Sequence, residues 1–209
     1  MRIKTFSNNS MGQNVYLVWC SETKEGVLVD VGCNAVDEKN IMGIIAKEEI
    51  EIKAILLTHG HYDHMIGLER MKTLLDVPVY CHAKEAEFLE NPDLNLSYLT
   101  SQKISVSADR LFADGDLFTF GNCEFKVLHT PGHTPGCICF YSTQNEALFV
   151  GDTLFKGSIG RTDFPLGDHE KMIKNIKVKL LALPEKTNVY AGHGESTTIG
   201  REKVSNPFL

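Results

Sequence analysis

The stretch Thr58-His59-Gly60-His61-Tyr62-Asp63-His64 places three imidazoles and a carboxylate within six consecutive positions. It follows the apolar run Ala54-Ile55-Leu56-Leu57, which has the length and composition of a buried strand. Imidazole and carboxylate are the common nitrogen and oxygen ligands of transition metals. So dense a set in one turn points to a metal site at the end of a strand, and to a metal-dependent hydrolase or oxygenase.

Three later segments repeat the same local grammar, an apolar strand followed by a turn that carries a ligand residue. Val127-Leu128-His129-Thr130-Pro131-Gly132-His133 sets His133 in a turn stiffened by proline and glycine. Ala147-Leu148-Phe149-Val150-Gly151-Asp152 puts Asp152 just past a strand, and Val189-Tyr190-Ala191-Gly192-His193 does the same for His193. Loops at one sheet edge can bring such residues to one point. The inventory is then His59, His61, His64, His133, His193, Asp63 and Asp152. One catalytic ion needs only about three protein ligands, so seven predict two divalent ions sharing a carboxylate. The donors are nitrogen and oxygen without thiolate, which suits zinc first, with iron or manganese as alternatives.

The rest of the sequence bounds the reading. At 209 residues with no repeat, low-complexity stretch or linker, the chain reads as one domain over 1–209. The net charge is −6 and no Lys/Arg-rich block occurs, which argues against nucleic acid as a partner. The apolar runs are strand-length, far short of the roughly 20 residues that cross a bilayer. The N-terminus has no hydrophobic signal region, so no membrane partner and a cytoplasmic location are expected. Six scattered cysteines without a C-x-x-C pair read as small buried hydrophobes. Strands are expected at 2–6, 14–20, 26–31, 54–57, 77–81, 117–120, 124–129, 137–141, 147–150 and 188–191. Helices are expected at 37–47, 67–75, 84–89 and 168–183, with 91–109 in loops or a short helix. Two sheets face to face with helices outside would bury such strands. His82, His129 and His169 lack a ligand context, although His129 is close enough to support the site, and Glu85-Ala86-Glu87 reads as a solvated helix face.

The combination T-H-x-H-x-D-H, G-H-T, G-D-T and G-H, at residues 58–64, 132–134, 151–153 and 192–193, resembles the metallo-β-lactamase fold superfamily over nearly the whole chain. The resemblance implies an α/β fold, a four-layer αββα sandwich with metals at one edge of both sheets. It implies His59, His61 and His133 around one ion, Asp63, His64 and His193 around the other, and Asp152 between them. The segment Gly151-Asp152 through Gly160-Arg161-Thr162-Asp163-Phe164 is similar to the glyoxalase II and persulfide dioxygenase branch. Glyoxalase II proteins carry a cation used to hold glutathione nine positions after the bridging Asp, and here that position is Arg161. The helical C-terminal domain of those proteins has no counterpart before Leu209, and Gly194-Glu195-Ser196 replaces their aromatic after the last His. The ending looks like the short, single-domain glyoxalase II-like hydrolases. The implied activity is hydrolysis of S-acylglutathione-type thioesters, a small-molecule substrate, by a metal-bridging hydroxide, with Asp63 as the catalytic carboxylate and Arg161 as the substrate-binding cation. A mononuclear iron persulfide dioxygenase is the alternative, through His59, His133 and Asp152. A lactonase or β-lactamase-like hydrolase is the next. The sequence leaves the acyl group and the oligomeric state open.

Overall fold

The computed structural model describes residues 1–7 and 11–209. Six strands, β1 (Arg2–Phe6), β2 (Val15–Trp19), β3 (Glu25–Val29), β4 (Glu51–Leu56), β5 (Val79–His82) and β6 (Arg110–Phe112), form the first sheet in sequential order. It is antiparallel across β1, β2 and β3 and parallel from β3 to β6. The second sheet is ordered β14-β13-β10-β9-β8-β7. Its strands are β7 (Leu117–Phe120), β8 (Cys123–His129), β9 (Ile138–Ser142), β10 (Ala147–Gly151), β13 (Asn188–Ala191) and β14 (Thr197–Thr198). A hairpin of β11 (Leu154–Phe155) and β12 (Ser158–Ile159) stands apart from both.

The period-two alternation of side chains along a strand sorts these residues into layers. On β2, Val15 and Leu17 join the core beneath the outer helices, while Tyr16 and Val18 face the second sheet. On β9, Ile138 and Phe140 meet that central layer, while Cys139 and Tyr141 face outward under helical cover. Both faces of the central strands are therefore apolar, as expected for sheets covered on both sides. Helices α1 (Ala35–Glu48), α2 (Leu68–Leu75) and α3 (Ala86–Glu90) follow the strands of the first sheet, and Ile41, Leu68, Met71 and Leu89 bury into its outer core. Helices α4 (His169–Asn175) and α5 (Ile199–Ser205) accompany the second, contributing Met172 and Ile199. The result is the αββα sandwich. All six cysteines are free and buried.

Several elements differ from the expectations. The helix expected over 168–183 is α-helical only to Asn175 and continues as a π-helical turn, Ile176–Leu180, closed by Leu181 N–H donating to Ile176 O at 2.9 Å. The wider turn keeps Met172, Ile176 and Leu180 all buried. Strands β6, β11, β12 and β14 are two or three residues long, too short to show a period. Helix α5 lies outside the expected helices; its start is capped by Thr198, whose side chain accepts from Arg201 N–H.

Candidate metal centre

The first sheet delivers four of the seven candidate ligand residues together. After β4 the chain passes through Thr58, His59, Gly60 and His61 into a 3-10 turn, Tyr62–His64. The second sheet delivers the rest singly, with His133 in the turn after β8, Asp152 directly after β10 and His193 after β13. A β-bulge between Phe149 and Gly151 in the β10–β13 ladder breaks the pairing register one residue before Asp152, a common way to re-aim a side chain beside a site. The sheets are joined at this point by Ile138 N–H donating to Thr58 O at 2.9 Å.

The predicted ligands converge. Ligand atoms of His59, His61 and His133 lie within 4.8 Å of one another, as do those of Asp63, His64 and His193, and those of His59, His64 and Asp152. Asp152 also bridges the groups: its Oδ1 lies 3.3 Å from His64 Nε2 and its Oδ2 3.7 Å from both His133 Nε2 and His193 Nε2. Asp63 Oδ2 is 3.1 Å from His193 Nε2.

Hydrogen bonds at the back of the rings decide which nitrogen faces inward. His133 Nδ1 lies 2.7 Å from Arg161 O, and His193 Nδ1 lies 3.2 Å from Met11 O. A carbonyl oxygen only accepts, so these Nδ1 atoms carry the proton and Nε2 keeps its lone pair. His64 Nδ1 is held 2.9 Å from Asp30 Oδ2, and His59 Nδ1 3.1 Å from Thr58 Oγ1, whose own proton goes to Asp30 Oδ2 at 2.8 Å. His61 is turned the other way, with Nδ1 2.8 Å from His133 Nε2. Two imidazole lone pairs approach that closely only with a proton or a cation between them. His59 Nε2, His61 Nε2, His64 Nε2 and Asp152 Oδ1 are buried without a hydrogen-bond partner among the described residues. Buried polar atoms are rarely left unmade, and three of these four face the ligand clusters. The donor set therefore fits two divalent ions.

Electrostatics separate the clusters. Burial, and then the neighbouring imidazoles, hold His59 well below its ordinary range; burial with His133 takes His61 down to about 3, and burial lowers His133. Each shift favours the neutral ring, the form whose lone pair a metal can use. Burial also pulls on His64, but Asp30, Asp152 and Asp63 outweigh it and keep this imidazole well above its usual value. Burial pushes the Asp63 and Asp152 carboxyls upward, yet His64 and the other imidazoles leave both below the ordinary carboxylate range.

Four residues not expected at the site support it. Asp30, buried and at φ 50°, accepts from Thr58 N–H and Thr58 Oγ1 as well as holding His64. Asn14 Nδ2 donates to Ala191 O and Gly194 O at 3.0 and 2.9 Å, and Tyr16 Oη donates to Ala191 O at 2.5 Å, clamping the His193 loop from the first sheet. Glu85 corrects the expectation of a solvated face: it is fully buried and accepts from Gly60 N–H and Thr134 Oγ1, each at 2.8 Å. It ties the His59–His61 turn to the His133 turn, and burial pushes its carboxyl up to about 7. His129 stacks on His82 with centroids 4.0 Å apart, and its Nε2 meets Pro135 O. Neither contact involves a candidate ligand ring.

Of the candidate ligands, His61, Asp63, His133, Asp152 and His193 line a cleft of about 310 Å³, together with Met11, Tyr62, Leu96, Leu99, Phe155, Phe164 and Arg161. Arg161 forks onto Asp163 at 2.9 and 2.8 Å and lies over the Phe164 ring, 4.2 Å from its centroid. Close packing also constrains the metal-facing backbone. A Cβ on Gly192 would sit 2.2 Å from Asp152 Oδ1 and 2.8 Å from His64 Cε1. Gly192→Ala is expected to keep the fold but to weaken metal binding by about ten- to a hundredfold, as disturbing the support of a ligand does; a competitive chelator titration measures it, and an unchanged affinity would count against the cramped geometry.

Comparison with known proteins agrees with this centre. The chain matches the metallo-beta-lactamase superfamily over residues 9–193 and belongs to it; it is a metallohydrolase of that superfamily. It is 37% identical over 212 residues to hydroxyacylglutathione hydrolase GloC of Haemophilus influenzae, covering all of this chain and 98% of that one. Among solved structures it resembles BLEG-1 B3 metallo-beta-lactamase, with a TM-score of 0.92 and 40% identity over 100% of this chain and 99% of that one. It also resembles TTHA1623 in a di-iron-bound form, with a TM-score of 0.85 and 35% identity over 99% and 100% of the two chains.

Proposed function

We propose that the protein hydrolyses S-acylglutathione-type thioesters at a two-ion centre, with zinc as the first choice of metal. The observation that carries the reading is the pair of three-residue clusters with Asp152 between them, at the floor of a cleft whose rim is mostly apolar and carries one cation, Arg161. Full-length similarity to GloC supports the same choice. His59, His61 and His133 would hold one ion, Asp63, His64 and His193 the other, with Asp152 between them. Such ions supply water acidic enough to attack at neutral pH and polarise a carbonyl.

The chain's residues do the remaining work. Asp63, whose Oδ2 lies 3.1 Å from His193 Nε2, would orient the attacking water and take up its proton. A thiolate is a good leaving group, so no strong general acid is needed. Arg161 meets the substrate's carboxylate. Its fork on Asp163 is an exposed ion pair, and exposed pairs contribute only about 0–1 kcal/mol, so a substrate carboxylate can displace Asp163 at little cost. Phe164 keeps the guanidinium over the cleft meanwhile.

Purified protein is expected to release thiol from S-lactoylglutathione, to stop on exhaustive chelation and to recover on adding metal. Full turnover by metal-stripped protein, or one iron per chain with oxygen uptake on glutathione persulfide, would overturn the assignment. Arg161→Ala is expected to raise KM about tenfold with kcat little changed, the pattern of a lost ground-state contact; steady-state kinetics check it, and a selective loss of kcat would remove Arg161 from substrate binding. The likeness to BLEG-1 favours one second reading, β-lactam hydrolysis, which turnover of a chromogenic cephalosporin would establish.

A further inference from the structure

Away from the metal centre, a cleft of about 580 Å³ lies against the opposite end of the first sheet. β3 spans the distance between them: Glu25 begins it beside Trp19, and Asp30, just past its other end, supports His64. The cleft follows from strand periodicity. Phe6, Lys4 and Arg2 share one face of β1, and Phe6 is buried in the core under α1. Continuing that face should bring more apolar residues against α1; the chain places Lys4 and Arg2 there instead. Trp19, the chain's single tryptophan, pairs with Arg2 across the β1–β2 ladder and packs on the edge of the same core. Opposite it on β3 stands Gly26, where a Cβ would lie 2.9 Å from Trp19 Cβ. The last turn of α1 adds Lys47, and the β2–β3 turn adds Lys24.

Four cations thus line one cleft on a chain of net charge −6, with Glu48 as the only acid in its lining. Among the described residues none of the four makes an ion pair. Nearby carboxylates are engaged elsewhere: Glu25 and Glu51 pair with Lys53, and Glu22 accepts from Asn122. Lys24 sits at φ 66°, in the left-handed region that residues other than glycine seldom adopt. Unpaired cations beside an indole ring match an anion bearing several negative charges and a flat ring. The cations supply charge-assisted bonds to phosphate oxygens, and an indole face stacks on a base. The volume falls within the usual range of small-molecule sites.

We propose that the cleft bounded by Arg2, Lys4, Trp19, Lys24 and Lys47 is a binding site for a nucleoside polyphosphate, separate from the metal centre. The test is calorimetric titration of the metal-loaded protein with ATP, inorganic triphosphate and adenosine, with Trp19 fluorescence as a second reporter. ATP is expected to bind once per chain and to perturb Trp19. Triphosphate, which lacks the stacking ring, should bind about tenfold more weakly, and adenosine more weakly still. The double variant K4E/K47E should lose tenfold or more in ATP affinity while its thermal unfolding and metal content match the wild type. Asp152→Ala, which removes the shared carboxylate of the metal centre, should leave ATP binding unchanged. Absence of ATP binding, binding that survives K4E/K47E, binding lost with Asp152→Ala, or triphosphate binding as tightly as ATP would each overturn the proposal.

Discussion

Asp152→Ala is expected to bind fewer than two ions per chain and to lose hydrolytic activity by at least about three orders of magnitude, because water left at its bulk pKa is a negligible nucleophile at neutral pH. The side chain is small and its removal leaves no apolar cavity, so the fold should survive. What disappears is the one carboxylate that reaches His64, His133 and His193 together. Removing it leaves like-charged or lone-pair-bearing imidazoles facing one another without an anion among them. The reluctance of Asp152 to take a proton, although little of its side chain reaches solvent, reflects those same rings. Elemental analysis and thiol-release kinetics on the purified variant check the expectation. A variant that keeps two ions and activity within tenfold of the wild type would dismiss Asp152 as the shared ligand.

Asp30→Asn is expected to cost about 3–5 kcal/mol of folding stability, the usual range when one partner of a buried charged pair is lost. It should also weaken the ion held by His64. The substitution keeps the volume and tolerates the left-handed backbone at φ 50°, so what changes is hydrogen bonding. Asp30 accepts from three donors: Thr58 N–H, Thr58 Oγ1 and His64 Nδ1. An amide must turn a donor toward one of them. If it faces His64, the ring loses the acceptor that keeps its proton on Nδ1 and its lone pair on Nε2. Chemical denaturation of the metal-free protein reads the first effect and chelator competition the second. Wild-type stability in the metal-free variant would remove Asp30 from the support of the site.

How much of this was legible in the sequence depended on locality. His59, His61, Asp63 and His64 lie within one turn, so their convergence needs no knowledge of the fold. His133, Asp152 and His193 announced themselves by a repeated strand-then-ligand grammar. Asp30 obeys the same grammar after Val27-Leu28-Val29, yet an acid alone in a turn reads equally well as a cap. Glu85 reads as solvated in a segment of alternating acids; its burial comes from Gly60 and Gly136, dozens of residues away in sequence, whose missing side chains let the carboxylate in. Asn14 and Tyr16 act on carbonyls more than 170 positions away. The bond that decides their role is a tertiary one. The strands were found where their apolar runs were long, and missed where two or three residues pair only because a neighbour is already in place.

The division of labour between the sheets has one more consequence. The first sheet is built wholly from residues 2–112 and the second from 117–198, two consecutive lengths of chain. Each three-residue cluster takes two members from the first length and one from the second: His59 and His61 with His133, Asp63 and His64 with His193. A backbone severed at Asp114-Gly115, between β6 and β7, would yield two fragments, neither owning a full set of ligands. Metal capture by the mixed fragments would then report their reassembly, making the centre a built-in complementation sensor for the union of the two halves.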